Sequence, residues 1–432
     1  MTNWQRSAAL VSAAAAVTMI AGCSTDGTAT SESSTQSTTA PVATSSSAPA
    51  SVDVAALNTG SYPTSPRPPF GETTHDNLLQ VEGQRMAQYI VVPFEVDQDL
   101  TNSAFPTMVI TGRSTLRPVL PAEVVAVPAN NNLVGGFVAA ATTPGENLRD
   151  GQKRSLNNMV VRYLTPADAK AAAQQMAAAL AASEKTTVST LPGLPDTQVV
   201  RVDADGKSRI VAFTPHNNYV LYQWYETGAG QKSKLEPTVR SLITQQSTLI
   251  DQFPYTPTKA ESAAGNPNPT KVLVDQNHIL IYALPYTDEQ LKKSEGTGAP
   301  SATIRAVYGP RGMAQISADP PNDLRLLTDV GSTANAVERS NVYRANTDDG
   351  ADTIVDSLAS SARNRGFSEI ADPPGLSPAT CLSDTSGSTP RVLCLVQVGR
   401  YVGEVKSTNQ QDAYQQISAQ YVILTKADQR AN

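Results

Sequence analysis

An internal repeat constrains this chain more than any other feature. Two loops, "LPGLPDT" at 191–197 and "PPGLSPAT" at 373–380, carry Gly-Leu pairs at 193 and 375, an offset of 182. The same offset lays "RIVAF" at 209–213 on "RVLCL" at 391–395. It also lays Tyr219-Val220 on Tyr401-Val402, and "VVR" at 160–162 on "VYR" at 342–344. No gap is needed from residue 160 to residue 220. A register held over that length predicts a duplicated unit, folded twice from the same elements.

Local patterns say which elements these are. In the first copy "NMVVRYL" at 158–164 reads as a strand. A helix follows from Thr165, with Pro166 at its first position and Asp168 completing a capping-box-like pattern. The second copy has "SNVYRA" at 340–345 and a helix ended by Gly366. A three-strand meander follows each Gly-Leu loop, and Asp205-Gly206 marks a tight hairpin in the first. Val239, Leu242, Ile243, Gln246, Leu249 and Ile250 form the apolar stripe of a closing helix. Residues 410–427 play that part in the second copy, after a shorter connection that breaks the register.

The fold class expected is therefore α+β. It consists of two related lobes, each an antiparallel sheet covered by helices, with a β-α-β-β-β-α core. The N-terminal lobe is assigned to 53–256 and the C-terminal lobe to 271–432, across a Pro/Gly/Asn-rich linker at 257–270. The first lobe also carries the Pro-rich stretch 60–71 and a helix across 77–91.

Upstream, residues 1–22 read as a signal peptide: one early Arg6, a short apolar run at 8–20, then "IAGC". That ending looks like a bacterial lipobox, in which Cys23 receives a diacylglycerol. Acyl chains together hold firmly, at about 0.8 kcal/mol per buried CH₂. Residues 23–52 are almost all Ser, Thr, Ala and Pro, too polar to offset chain entropy, and read as a disordered tether. The expected location is the extracytoplasmic face of the cell membrane, with the membrane a partner through the anchor. Net charge is −6 with no Lys/Arg stripe, which argues against nucleic acid.

Chemistry is sparse. The three histidines, His75, His216 and His278, show no metal-ligand spacing, and neither a His-Glu-x-x-His nor a Gly-x-Ser-x-Gly motif occurs. No metal, cofactor or catalytic residue is assigned. "YGPRGMA" at 308–314 reads as a turn entering a strand. The aromatic strand "YVLYQWYE" at 219–226 is the best recognition candidate. Alternation puts Tyr222 and Trp224 on one face, and Tyr219, Leu221, Gln223 and Tyr225 on the other. Either Tyr222 and Trp224 stack on a ligand, or helix and partner lobe bury both faces. Arg67, among prolines, either presents a fixed cation or packs along a domain. With Cys23 lipidated, Cys381 and Cys394 remain an even pair in one hairpin of an exported protein, and a disulfide is expected. Its first-copy equivalents, Val199 and Ala212, are ordinary core residues.

The stretches 57–69 ("LNTGSYPTSPRPP"), 82–97 ("EGQRMAQYIVVPFEVD") and 136–143 ("GFVAAATT") resemble an uncharacterised family of actinomycete envelope lipoproteins. That family is described as a domain of unknown function in N- and C-terminal parts. The resemblance covers most of the mature chain, includes the lipobox, and implies a surface location with no known activity. Element order and paired cysteines are also similar, at fold level only, to extracellular sensor domains of actinomycete receptor kinases. The function expected is a non-enzymatic binding or sensor lipoprotein. An envelope lipid, glycan or protein would sit in a groove between the lobes. The alternative is a cryptic envelope hydrolase or transferase.

Overall fold

Alternating strands joined by tight turns pair into two antiparallel sheets. The computed structural model describes residues 52–145, 152–287, 289–291 and 301–431. The signal segment, Cys23 and the tether up to residue 51 lie outside the described residues. The first sheet holds β1 (Asn102–Ser103), β2 (Met108–Ile110), β3 (Leu133–Thr142), β4 (Arg154–Tyr163), β5 (Val188–Leu191), β6 (Leu194–Ala204), β7 (Lys207–His216) and β8 (Tyr219–Gly228). The second holds β9 (Ala306–Tyr308), β10 (Asn335–Val337), β11 (Ser340–Arg344), β12 (Ser368–Ile370), β13 (Ala379–Asp384), β14 (Arg391–Val398) and β15 (Tyr401–Ser407).

Their topologies repeat. The order β4-β8-β7-β6-β5 in one sheet is β11-β15-β14-β13-β12 in the other. Register repeats to the residue. Asn158 pairs with Gln223, and 182 residues on Ser340 pairs with Val405. Phe213 pairs with Tyr222, and Leu395 with Glu404. The duplicated α+β unit is therefore present twice, each copy with one short extra edge strand, β5 or β12.

Helices follow the same rule. They are α1 (Leu78–Met86), α2 (Ala122–Val125), α3 (Pro166–Ser183), α4 (Leu235–Ile250), α5 (Lys259–Ala263), α6 (Pro310–Gln315), α7 (Pro320–Asp329), α8 (Asp348–Asn364) and α9 (Gln410–Leu424). Thr165 caps α3 by accepting the Asp168 N–H at 3.1 Å, and Thr347 caps α8 by accepting the Gly350 N–H at 3.1 Å. Each side-chain oxygen satisfies one orphan donor of the first turn. The loops after these helices turn through Gly193 and Gly375, at φ 82° and 79°, where a left-handed backbone favours glycine.

Each sheet is covered on both faces. One side of the first sheet packs on α3, through Ala172, Ala173, Met176 and Val200. One side of the second packs on α9, through Ile417, Ile423, Cys394 and Val405. Between the sheets a single cluster joins Met86, Ile90, Phe137 and Leu221 of the first lobe to Tyr308, Met313, Ile354 and Leu395 of the second. Polar contacts cross there too: Gln315 Nε2 donates to the Ile90 carbonyl at 2.8 Å, and Gln88 Oε1 accepts the Gly312 N–H at 3.0 Å.

Three expectations change. Residues 53–71, placed with the first lobe, run across the second. Leu57 is buried in its core, the Tyr62 hydroxyl donates to Asp412 at 2.5 Å, and Lys426 Nζ donates to the Thr64 carbonyl at 2.6 Å. Prolines keep this strap extended, so it is held by side chains more than by ladder bonds. The 257–270 linker contains a capped helix, α5, whose Glu261 pairs with Arg162 of β4. The segment 308–314 enters helix α6 rather than a strand, because Pro310 suits a first helical turn and cannot donate within a sheet.

Candidate functional site

The repeat also places a cavity in each lobe at the equivalent face, between the sheet and the long helix α3 or α8. Each has a volume of about 330 Å³. In the first lobe Tyr222 and Trp224 of β8 line it, with Leu120, Leu180, Phe213 and Asn157. In the second the positions 182 residues on are Glu404 and Lys406 of β15. Strand register fixes this equivalence, since Val211 pairs with Trp224 and Leu393 with Lys406. Two equivalent positions therefore carry aromatic rings in one lobe and an ion pair in the other.

The second-lobe cavity holds a set of polar groups that a hydrophobic core would not retain without partners. Glu404 is 5 % exposed. It accepts from Asn341 Nδ2 at 2.6 Å, from the Tyr343 hydroxyl at 2.8 Å and from Lys406 Nζ at 2.8 Å. Burial would raise this carboxyl, but Lys406, Tyr343 and Asn341 outweigh it and hold Glu404 below the ordinary glutamate range. The Tyr343 hydroxyl is pushed well above its usual value by burial and by the Glu404 charge.

Asp323 stands in the same cavity on α7, 9 % exposed. Its Oδ2 accepts the Ser317 hydroxyl at 2.5 Å. Its buried Oδ1 has no hydrogen-bond partner among the described residues. Burial pushes the carboxyl up to about 6; the Glu404 and Asp319 charges add to this, and Ser317 and Lys406 oppose it. The helix places Asp323 inward because α7 buries Leu326, Leu327 and Asp323 on one face.

Other charges at the cavity are already engaged. Glu338 is buried and paired with both Arg67 and Arg305. Arg365 Nη1 donates to Ser361 Oγ at 2.6 Å, and Ser361 Oγ donates to Asp319 at 3.3 Å. Arg339 Nε donates to the Pro285 carbonyl at 3.3 Å.

Of the residues singled out in sequence, Arg67 does not point to solvent. It donates to the Leu280 carbonyl at 2.7 Å and braces Glu338 at the cavity wall. Tyr222 is 2 % exposed, its ring 5.2 Å from Phe213, while Trp224 is half-buried at the cavity edge. Cys381 and Cys394 form the disulfide and lie in the α9-side core, away from the cavity. His216 ends β7, with Nε2 2.7 Å from an Asp251 oxygen on the surface. Among the described residues no cluster of His, Cys, Asp and Glu could hold a metal ion. No helix of the described residues is long and apolar enough to cross a membrane.

Between the lobes, Met86 of α1 and Met313 of α6 belong to the shared core. A cavity of about 390 Å³ remains at its edge, lined by Gln84, Gln88, Gln276 and Asn277 among others. Sequence reasoning missed Asp323 and Glu404. A signal for Glu404 was present: an acid inside the apolar alternation of "YVGEVKS", at the offset of Tyr222.

Residues 70–264 match the N-terminal part, and residues 287–427 the C-terminal part, of a family described as Domain of unknown function (DUF7373). No curated protein matches the chain. Among solved structures, the chain is similar to the crystal structure of the extracellular domain of PknH from Mycobacterium tuberculosis. The identity is 14%, with a TM-score of 0.28, covering 42% of this chain and 99% of that one.

Proposed function

Since the chain belongs to the DUF7373 family, whose function is unknown, we propose its role from its own cavities. It is a non-enzymatic binding or sensor protein of the cell envelope, lipid-anchored through Cys23 on the extracytoplasmic face. A small polar ligand occupies the second-lobe cavity. One observation carries this reading: two buried carboxyl side chains, Asp323 and Glu404, line that cavity together with Arg339, Arg365 and Lys406. A hydrophobic core would not keep this many charged and polar groups around empty space, and a polar ligand can exchange hydrogen bonds with them. A cavity of about 330 Å³ falls within the ligand-binding range. Its charged wall suits a glycan-like or headgroup-like molecule better than an acyl chain.

A second reading rests on the opposed shifts of Asp323, upward, and Glu404, downward, a pattern that also serves acid–base chemistry. Glu404 already accepts from three donors, which makes it a poor nucleophile or base. Binding is therefore preferred over the hydrolase or transferase reading.

Native mass spectrometry of the chain purified from its own envelope tests the proposal. A small-molecule adduct released on unfolding is expected; protein of bare polypeptide-plus-lipid mass, under conditions that preserve weak complexes, would contradict it. The anchor is tested separately. Cys23→Ser protein should leave the membrane fraction, and continued membrane retention would overturn lipidation.

A further inference from the structure

Duplication gives the first-lobe cavity an internal comparison. Three side chains that meet there, Asn157, Tyr222 and Trp224, stand 182 residues before Arg339, Glu404 and Lys406, which meet in the second. Three charged positions of one lobe are thus uncharged in the other. The two charges left on the first-lobe wall, Glu184 and Arg209, pair with each other. Glu226, 4.0 Å from Arg209, is itself paired with Lys207. Cross-strand pairing sets Asn157 beside Trp224 on one face of the sheet. Both are half-buried, and neither side chain has a hydrogen-bond partner among the described residues. Asn157 therefore brings a free amide donor and a free acceptor to the cavity.

Around these groups the wall is apolar: Leu120, Val124, Leu180 and Val211, with the Phe213 and Tyr222 rings in contact. A sugar would bury several hydroxyls against such side chains without partners. A charged head would need a counter-charge that Glu184 and Arg209 already give each other. An apolar body removes these faces from water, and one hydroxyl or carbonyl satisfies the amide. We propose that the first-lobe cavity is a second binding site, for a small neutral apolar molecule with one hydrogen-bonding end. Its body lies against Tyr222 and Trp224, and its polar end meets Asn157. A volume of about 330 Å³ stands at the lower end of the range of ligand sites, so the occupant is small. This site is independent of the polar one in the second lobe, and either can be filled while the other is empty.

Trp4 and Trp224 are the two tryptophans of the chain. In the full chain carrying Trp4→Phe, intrinsic fluorescence therefore reports on the cavity edge alone. Titration at pH 7 compares 1-octanol, octanoate, octylammonium and glucose. Octanol is expected to shift Trp224 emission saturably, octanoate and octylammonium to bind at least about tenfold more weakly, and glucose not to bind. Val211→Phe fills the space opposite Trp224 and should abolish the octanol response, with circular dichroism showing that the fold is kept. Asn157→Asp keeps the shape but adds a charge, and should reverse the preference towards octylammonium. The proposal is overturned by the absence of a saturable octanol response, by octanoate or octylammonium binding as tightly as octanol, or by an unchanged response in folded Val211→Phe. Asn157→Asp protein that still prefers octanol overturns the placing of the polar end.

Discussion

Cys381 and Cys394 stand opposite one another across β13 and β14, joined by a disulfide, in the register position that Val199 and Ala212 hold across β6 and β7. The two lobes thus solve one packing problem in two ways, a covalent bridge and a pair of apolar side chains. Closing a loop of 13 residues' separation contributes roughly 3 kcal/mol, chiefly by restricting the unfolded chain.

The double substitution Cys381→Val with Cys394→Ala copies the first lobe into the second. The protein should fold and keep its cavity, but lose roughly 2–3 kcal/mol in urea unfolding, less than the full bridge because the core stays filled. An unchanged midpoint would show that the bridge adds nothing to stability.

Asp323 should make stability depend on pH in an unusual direction. Its folded value, about 6, lies above the ordinary aspartate value. The folded state therefore holds a proton that the unfolded state has released, and stability falls as pH rises from about 4 through about 6. At neutral pH the cost is on the order of 3 kcal/mol. Asp323→Asn should raise the unfolding midpoint at pH 7.5, with the gain shrinking towards pH 4. A gain independent of pH, or a loss, would contradict this.

Helix α1 crosses β3 at Gly83 and Gly136. A Cβ on Gly136 would overlap the Val160 carbonyl oxygen of the neighbouring strand, and one on Gly83 would overlap Val109. Backbone cannot yield as a flexible side chain can, so Gly136→Ala should cost roughly 1–3 kcal/mol. Circular dichroism melting checks it, and a melt matching the parent would mean that the sheet absorbs the methyl freely.

Arg162 and Arg344 are another repeat pair, both nearly buried and each cross-strand from a tyrosine, Tyr219 or Tyr401. Their partners differ. Arg162 pairs with Glu261 and donates to the Thr256 carbonyl at 2.8 Å; Arg344 donates to the Asn277 carbonyl at 3.1 Å. Burial would raise Glu261, but Arg162 and Thr258 outweigh it and hold it low. Its contribution is present at neutral pH and lost as pH falls through that lowered value. Arg162→Ala removes the cation from Glu261 but leaves its Thr258 N–H and Asn218 donors, and should cost roughly 2 kcal/mol at pH 7 and clearly less at acid pH. Arg344→Ala should show no such pH dependence, and parallel profiles for the two would contradict the assignment.

Much of the fold was legible because duplication writes the same message twice. The "VVR" and "VYR" strands, the Gly-Leu loops and the paired tyrosines all fell on one offset, and each sits at a fixed place in the repeated unit. The strap at 53–71 was not legible, since an extended Pro-rich segment has no periodicity to say which lobe it crosses. The cavity was only half legible. Its first-lobe side chains, Tyr222 and Trp224, attracted notice as aromatics. Glu404 and Lys406 read as strand residues until register placed them at the same positions. Asp323 carried no signal, because "NDLRLL" on a helix does not reveal which side will be covered.

The most direct test of the central claim compares adducts on native and Asp323→Asn protein, purified in parallel from the same cells, by native mass spectrometry. The account predicts a small-molecule adduct on the native chain and its loss from Asp323→Asn, with both proteins folded. An adduct of the same mass and occupancy on both would contradict it, placing the ligand away from this cavity.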